Sequence, residues 1–239
     1  MDKIESLKEM IQNAKKIVVF TGAGISVASG IPDFRSSNGI YNEKNGFSYP
    51  PEQIISHSFF KSNPDIFFDF YKSKMIFPNA KPNSAHIFFA KLESEKDVTV
   101  VTQNIDDLHQ KAGSTKVFQL HGSVLDNYCV KCHKNYDLEY VLSQDGVPTC
   151  EADGEIVRPG IVLYEESLNN DVISNSINAI EQADLMIVIG TSLIVYPAAG
   201  FIRYFKGKNL VLINKDKTPY DNSADLVIND DITKVVKKL

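Results

Sequence analysis

Apolar and polar positions follow two patterns along the chain, one helical and one typical of buried strands. The first apolar residues recur at helical spacing, at Ile4, Leu7, Ile11 and Ala14, and an apolar run follows at 17–20. Further short apolar runs, rich in β-branched residues, occupy 98–101, 117–120, 161–163, 185–189 and 210–213. Such runs are typical of buried parallel strands. Their alternation with helical segments predicts an α/β fold with a Rossmann-like, doubly wound parallel sheet.

The segment between residues 50 and 90 has a helical pattern that is interrupted at Pro64, Pro78 and Pro82. It is also rich in phenylalanine, and we expect core positions for Phe59, Phe60, Phe67, Phe68 and Phe70. This pattern predicts a helical insertion that belongs to a smaller domain beside the sheet.

Length and composition limit the class of protein. With 239 residues, 43% of them hydrophobic, and no linker-like tract, the chain suits one large domain with insertions. No apolar stretch reaches the roughly 20 residues of a membrane span, and the N-terminus does not have the pattern of a signal peptide. We therefore expect a soluble cytoplasmic protein without a membrane partner. The net charge of -5 argues against a direct nucleic-acid partner, although a local basic patch stays open.

A glycine loop begins where the first apolar run ends, with Gly22 and Gly24 in the sequence Thr-Gly-Ala-Gly-Ile-Ser. Glycines at this place let a backbone approach a pyrophosphate. The dehydrogenase pattern would require a third glycine where Val27 stands, and an acidic residue after a second strand, where 36–41 reads as loop. The loop therefore favours nucleotide binding without hydride transfer, with a ligand-free turn as the alternative.

A second group of polar residues combines amides, a carboxylate and an imidazole. It consists of the sequence Thr-Gln-Asn-Ile-Asp at 102–106 and the pair His121-Gly122. A histidine, with an ordinary pKa of about 6.5, suits general-base work at neutral pH. Taken alone, a histidine before a glycine is equally compatible with a structural role.

These segments, in this order, resemble the motif set of the sirtuins, the NAD-dependent protein-lysine deacylases, in its bacterial type. The resemblance extends from about residue 15 to the C-terminus, so it covers nearly the whole chain. The segments that carry it are Gly22–Ser26, Gly30–Ser36, Lys81–Asn83 with Ala85 and His86, Thr102–Asp106, His121-Gly122, Arg158-Pro159, Gly190–Leu193 and Pro197-Ala198.

The resemblance implies removal of acetyl groups from protein lysines, with nicotinamide, O-acetyl-ADP-ribose and free lysine as products. In that reaction the acyl oxygen attacks the ribose carbon of NAD, so neither a metal nor a covalent enzyme nucleophile takes part. His121 would be the base on a ribose hydroxyl, and Asn104 would orient the ribose or a water. Asp106 and the backbone of Ile105 would bind the nicotinamide carboxamide, and Gln103 would contact a ribose.

The resemblance also implies further NAD contacts. Ala23 and Gly24 would lie against the diphosphate, Arg35 would reach phosphate or ribose, and Phe34 would shield the ribose carbon from water. Ser192 would contact a phosphate and Asn214 the adenosine ribose. The remaining implied cofactor-binding residues are Gly22, Val27, Asp33, Gly190, Thr191 and Ile232.

The substrate channel implied by the resemblance is apolar and is formed by Phe34, Ile161, Val162, Tyr164 and Val195. The backbones of 163–165 and 192–196 would pair with an acetylated peptide as an added strand. Glu165 stands where the family usually has glycine. A side chain would therefore lie beside the bound peptide and change the affinity for it or the preference among peptides. The loop 39–41 lacks the nearby Tyr and Arg pair associated with acidic acyl groups, which favours acetyl over succinyl.

The cysteines form a pattern typical of a metal site. Cys129-x-x-Cys132 followed by Cys150 has the spacing of the first three ligands of a zinc ribbon, with Asp153 at the fourth position. A carboxylate can ligate zinc, although less strongly than a thiolate. His133 is an alternative fourth ligand, and free thiols without metal are the other reading.

We therefore expect a single catalytic domain over 1–239. Its NAD-binding part would comprise 1–37, 79–123 and 158–239, with a helical insertion at 38–78 and a zinc-ribbon-like module at 124–157. ADP-ribosyl transfer or NAD hydrolysis is the alternative activity, because it breaks the same bond. A non-catalytic NAD-binding module is the third possibility, and the combination of His121, Asn104 and Asp106 argues against it.

Overall fold

A computed structural model describes residues 2–34, 39–41 and 46–239, and within them a parallel sheet of six strands forms the centre of the molecule. Its strands are β1 (Lys16–Thr21), β2 (Asp97–Thr102), β3 (Val117–Gln119), β7 (Leu185–Ile189), β8 (Asn209–Ile213) and β9 (Leu226–Ile228). They lie in the order β3-β2-β1-β7-β8-β9 and all neighbours are parallel. This is the dinucleotide-binding strand order, and the predicted fold class is confirmed.

Helices cover both faces of this sheet. On one face, α1 (Lys3–Asn13), α5 (Ser84–Leu92) and α9 (Ile232–Val236) enclose a core that includes Val19, Val100 and Ile187. The other face is covered by α8 (Asn170–Gln182) and by a 3-10 helix, Ala198–Tyr204. The short α6 (Leu108–Ala112) follows β2. Strands buried on both faces explain why the sequence shows continuous apolar runs there.

A smaller domain combines short helices with a second sheet. Its helices are α2 (Pro51–Ile54), α3 (His57–Ser62), α4 (Pro64–Phe70), which continues as a π-helical turn at Tyr71–Met75, and α7 (Leu138–Ser143). The predicted core phenylalanines are all buried in this domain. Lys72 Nζ donates to the carbonyl oxygens of Gln144 (2.6 Å) and Gly146 (2.7 Å), so the helical segment is tied to the segment that carries the cysteines.

The second sheet corrects one prediction. Residues 161–163 were expected to form a parallel strand, but the strand here is β6 (Val157–Ile161), which pairs antiparallel with β4 (Gly122–Cys129). The third member of this sheet is β5 (Asn135–Tyr136). A short apolar run identifies a buried strand without identifying its partner, and this run packs into the small domain through Ile161 and Leu163.

Among the described residues, no helix combines the length and the apolarity needed to cross a bilayer.

Candidate active site

Loops at the carboxyl ends of the central strands interlock through backbone hydrogen bonds. Gly22 N donates to Ile189 O (3.0 Å), Gly190 N to Ile213 O (3.1 Å) and Gln103 N to Thr21 O (2.9 Å). The strand order reverses between β1 and β7, and ligands of open α/β sheets bind in the crevice at such a point. The segments 22–26, 103–106 and 190–193 therefore meet at the position where this fold binds nucleotides.

The loops after β1 and β7 pack so closely that glycine is required at the point of contact in both. Gly24 N donates to Gly190 O at 2.8 Å, and a Cβ built on Gly24 would lie 2.6 Å from Gly190 Cα. Gly190 has a φ of +59°, in the left-handed region that favours glycine, and its Cβ would lie 2.4 Å from Ile25 N. The glycine pattern thus fixes the contact between the loops after β1 and β7. The predicted diphosphate contacts, Ala23 and Gly24, lie in this contact.

The predicted catalytic residues Asn104 and Asp106 are joined by Ser26. Ser26 Oγ donates to Asp106 Oδ2 at 2.6 Å, and Asn104 Nδ2 donates to Ser26 Oγ at 3.1 Å. Asp106 Oδ1 accepts from Leu108 N at 2.9 Å, so both carboxylate oxygens have protein donors. Ser26 is fully buried, and no role for it was predicted from the sequence. Its position in the glycine loop was the available signal, but nothing in the sequence paired it with residues about 80 positions away.

His121 is held by the loop that carries Asn104. Its Nδ1 lies 2.9 Å from Gln103 O, and Val162 N donates to the carbonyl oxygen of His121 (2.9 Å). Burial lowers the pKa of His121, and the hydrogen bond to the Gln103 carbonyl opposes this effect only in part. The imidazole is therefore neutral at pH 7, which is the protonation state that a base requires.

Other predicted nucleotide contacts lie along the same edge of the sheet. Gln103 Nε2 donates to Thr191 Oγ1 at 3.1 Å, and the half-buried Ser192 follows Thr191. Asn214 follows β8, and its Nδ2 donates to Asp216 O at 2.8 Å. Ile232 begins α9, with its side chain buried in the core, so little of that side chain is accessible to a ligand.

Several predicted contacts come from the segment between the sheet and the helical domain. Phe34 packs edge-to-face on Tyr41, with ring centroids 5.5 Å apart, and Tyr41 Oη lies 3.2 Å from Tyr164 Oη. Val27 is exposed, and Asp33 accepts from Ile40 N through its backbone oxygen (2.8 Å). The predicted contact Arg35 lies outside the described residues.

The predicted channel residues differ in accessibility. Ile161 is buried, Val162 and Val195 are half-buried, and Tyr164 is exposed. The backbone of Tyr164 is already paired, because Tyr164 N donates to Ile55 O (3.0 Å) and Tyr164 O accepts from His57 N (3.0 Å). The backbone of Leu163 is paired as well, because its N–H donates to Glu166 Oε2 and its carbonyl oxygen accepts from Glu166 N (3.1 Å). Most of the backbone of the segment 163–165, which was expected to pair with a peptide, is therefore already engaged within the chain.

Glu165 has a φ of +75°, an unfavourable conformation for a residue with a side chain. Its carboxylate accepts from Ser58 N (2.8 Å) and Ser58 Oγ (2.9 Å), at the start of α3. The neighbouring Glu166 pairs with Arg158 at 2.7 Å and accepts from Leu163 N at 2.9 Å. Burial raises the pKa of Glu166, but these hydrogen bonds outweigh it and lower that pKa to about 2. The two glutamates fix the segment 163–166 against α3 and β6.

Cys129, Cys132, Cys150 and Asp153 form a compact cluster, with ligand atoms that all lie within 4.8 Å of one another. Cys132 Sγ and Cys150 Sγ are 3.6 Å apart, and Cys129 Sγ is 3.4 Å from Asp153 Oδ1. A tetrahedral zinc with its usual bond lengths needs ligand separations of about 3.3–3.8 Å, and both of these pairs have such a separation. Three thiolates and a carboxylate are also a donor set that zinc accepts, so the cluster fits this metal. Backbone N–H groups of Lys131 and Ala152 point at the sulfurs of Cys129 and Cys150, as in thiolate sites (3.4 Å each). His133 does not belong to this cluster.

The chain matches known proteins over most of its length. The model of the Sir2 family matches residues 22–197. A relative in Clostridium perfringens, named NAD-dependent protein deacetylase, is 60% identical over 100% of this chain and 98% of its own length. A protein of the same name in Staphylococcus epidermidis is 45% identical over 99% of this chain and 96% of its own.

Solved structures give the same similarity in three dimensions. A Sir2 complex with a p53 peptide and NAD+ superimposes with a TM-score of 0.86 at 40% identity, covering 98% of this chain and 96% of that one. A Sir2 variant with a deacetylated p53 peptide and 3'-O-acetyl ADP ribose gives a TM-score of 0.90 at 41% identity, with the same coverage.

Proposed function

The chain belongs to the Sir2 family, and from that membership we propose that it removes acetyl groups from protein lysine side chains with NAD as co-substrate. The products would be nicotinamide, O-acetyl-ADP-ribose and the free lysine. The observation that carries this proposal is the neutral, oriented His121 beside the Asn104–Ser26–Asp106 network. A protein that only bound NAD would not need a base at this position.

NAD supplies the ribose carbon that the acetyl oxygen attacks as nicotinamide leaves. In this proposal His121 takes a proton from a ribose hydroxyl through Nε2, because Nδ1 is engaged with Gln103. Asn104 presents its amide oxygen to the ribose or a water, since its Nδ2 is bound to Ser26. Asp106, with Ile105, receives the nicotinamide carboxamide. The chain's own contribution is thus to position the reactants and to move one proton.

We assign the other nucleotide contacts to the loops at the crevice. The backbone of the loop after β1 and the hydroxyl of Ser192 would hold the diphosphate, Gln103 one ribose and Asn214 the other. Phe34 would exclude water from the ribose carbon. The further proposed contacts are Gly22, Ala23, Gly24, Val27, Asp33, Arg35, Gly190, Thr191 and Ile232. We propose that 1–37, 79–123 and 158–239 form the NAD-binding part, within which β6 and Leu163 pack on the smaller domain.

The acetyl-lysine would enter between the helical segment 38–78 and the sheet domain. Phe34, Ile161, Val162, Tyr164 and Val195 would line its path. The exposed apolar side chains of Ile194 and Tyr196, on the loop after β7, support a peptide at this surface.

Zinc, held by Cys129, Cys132, Cys150 and Asp153 in the module 124–157, would be structural. None of the three cysteines is in a disulfide, which suits a reducing compartment, and we place the activity in the cytoplasm.

The decisive experiment incubates the protein with NAD and an acetyl-lysine peptide and follows all products by mass spectrometry. A deacetylase releases one nicotinamide for each peptide deacetylated and transfers the acetyl group to ADP-ribose. Peptide labelled with oxygen-18 in its acetyl group should pass the label to the nucleotide product, because the acyl oxygen forms the new bond.

Two results would contradict the proposal. Nicotinamide release that ignores the peptide and yields ADP-ribose would indicate NAD hydrolysis or ADP-ribosyl transfer. Binding of NAD without any turnover, with a range of acetylated peptides, would indicate a non-catalytic module.

A further inference from the structure

Two buried histidines lie in contact beneath the site, and the reaction described above does not use them. His86 in α5 and His109 in α6 are 0% and 1% exposed, and their ring centroids are 4.8 Å apart. Histidine side chains are seldom this completely buried, so the polar atoms of both rings require partners.

On one side, His109 is connected to the loop after β2 that carries Asn104. Its Nε2 lies 3.1 Å from Thr21 Oγ1, and Thr21 Oγ1 donates to Thr102 Oγ1 at 2.8 Å. Thr102 Oγ1 also accepts from the backbone N–H of Asn104 at 3.0 Å. Thr21 and Thr102 are register partners that end β1 and β2. The hydrogen bonds therefore run from His109 across the carboxyl ends of both strands to Asn104.

On the other side, His86 is connected to the glycine loop. Its Nδ1 accepts from Asn83 N at 3.3 Å and completes a capping box at the start of α5. Asn83 Nδ2 donates to Ile25 O (2.8 Å) and to Ser29 Oγ (2.9 Å). The two histidines thus link the loop after β1 to the loop after β2.

The hydrogen-bond donors next to His86 and His109 determine which nitrogen of each ring carries the proton. Asn83 N–H can only donate, so His86 Nδ1 has no proton and His86 Nε2 carries one. Since Thr21 donates to Thr102, His109 donates from Nε2, and His109 Nδ1 is an acceptor. His86 Nε2 and His109 Nδ1 are buried without a partner in the part of the chain that is described. One is a donor and the other an acceptor on contacting rings, so a single enclosed water between the two rings would satisfy both atoms.

We propose that His86 and His109 form a neutral pair with fixed tautomers, and that His109 is a positioning residue for Asn104, acting through Thr21 and Thr102. Burial lowers the pKa of His86 to about 4 and that of His109 to about 3, which agrees with neutral rings. The role in turnover rests on the proposed function, whereas the tautomers and the position of Asn104 do not.

The first test is nitrogen-15 NMR of the imidazoles at pH 7 in the full-length protein. Both rings should show the neutral tautomer with the proton on Nε2, and this pattern should persist at pH 5.5. Replacement of His109 by Leu should shift the backbone amide resonance of Asn104, whereas the control Ile87→Ala, on the exposed side of α5, should not. A proton on His109 Nδ1, a charged ring, or an unmoved Asn104 resonance would overturn the proposal.

The second test is kinetic. His109→Leu should lower kcat about tenfold or more, with the KM values for NAD and peptide changed less than about twofold, because the loop forms but Asn104 is misplaced. His109→Gln, which keeps a donor near the position of Nε2, should recover most of kcat. In a Thr102→Val background, His109→Leu should have little further effect.

If the losses of kcat caused by His109→Leu and Thr102→Val are additive, the two residues do not act on Asn104 together, and the histidine pair is only part of the core. Equal losses of kcat in His109→Leu and His109→Gln would lead to the same conclusion. If the Leu variant does not fold, the Gln variant and the NMR spectra still decide. An inactive wild-type protein with the expected tautomers would overturn the proposed deacetylation and leave the histidine pair established.

Discussion

His121 Nδ1 lies 2.9 Å from the carbonyl oxygen of Gln103, and this contact decides which ring nitrogen can act as a base. A carbonyl oxygen only accepts, so the proton of the neutral imidazole is on Nδ1 and the lone pair is on Nε2. The same loop carries Asn104 and Asp106, so the orientation of the base is coupled to the position of the other polar groups.

Removal of this base should affect turnover much more than binding. We expect His121→Ala to retain NAD affinity within about threefold while its kcat falls by about 10²–10⁴-fold, the range for loss of a general base. Steady-state kinetics and calorimetric NAD titration would measure the two effects. Near-normal deacetylation in this variant would remove His121 from the mechanism.

The pH dependence of the reaction should report the lowered pKa of His121. Because burial lowers this pKa, the folded protein keeps the base unprotonated at pH values where a free histidine is partly charged. As pH falls through the lowered pKa, the base becomes protonated and kcat/KM decreases. We therefore expect the acid limb of the pH profile to have its midpoint below about 6.5, the ordinary value for histidine. A midpoint at or above that value would contradict the assignment.

Ser26 should be required for both stability and turnover, since it bridges Asp106 at 2.6 Å and Asn104 at 3.1 Å. Ser26→Ala leaves a partly buried carboxylate without one of its donors, which we expect to lower the free energy of unfolding by about 1–3 kcal/mol. The kcat should fall as well, because Asn104 loses its anchor. Urea unfolding and kinetics would measure both, with Ser143→Ala on the exposed part of α7 as the control. A Ser26→Ala variant that matches this control would show that the bridge is dispensable.

The sequence predicted the parallel sheet well because its strands are buried on both faces and read as continuous apolar runs. It did not predict β4, whose pairing with β6 is irregular between Ser123 and Asn127, so that its buried positions do not alternate. It also missed β9, which has three residues.

The candidate site, like the fold, could be predicted from the sequence only in part. His121 and Asp106 stand out by residue type and by motif, so the sequence alone selected them. The role of Ser26 and the approach of Gly24 to Gly190 depend on contacts between loops far apart in the chain. Local patterns contain no information about such contacts.

Glu165 balances backbone strain against hydrogen bonds. Its φ of +75° is unfavourable by about 1–2 kcal/mol for a residue with a Cβ, and the two bonds from Ser58 compensate. Glu165→Ala keeps the strain and loses the bonds, so its free energy of unfolding should fall by about 1–2 kcal/mol. Glu165→Gly relieves the strain and should stay within about 0.5 kcal/mol of the wild type. Urea unfolding would rank the three proteins, and an Ala variant as stable as the Gly variant would contradict this account.

Asp153 should make zinc binding weaker than four thiolates would. Because a carboxylate is a harder ligand than a thiolate, we expect Asp153→Cys to slow the transfer of zinc to a chelator and Asp153→Asn to accelerate it. Elemental analysis should find close to one zinc per chain in the wild type, since a structural site is nearly fully occupied. Glu139→Gln, an exposed change in the same module, should leave the transfer rate unchanged. Less than about 0.1 zinc per chain in fully active protein would mean that the cluster has no structural metal.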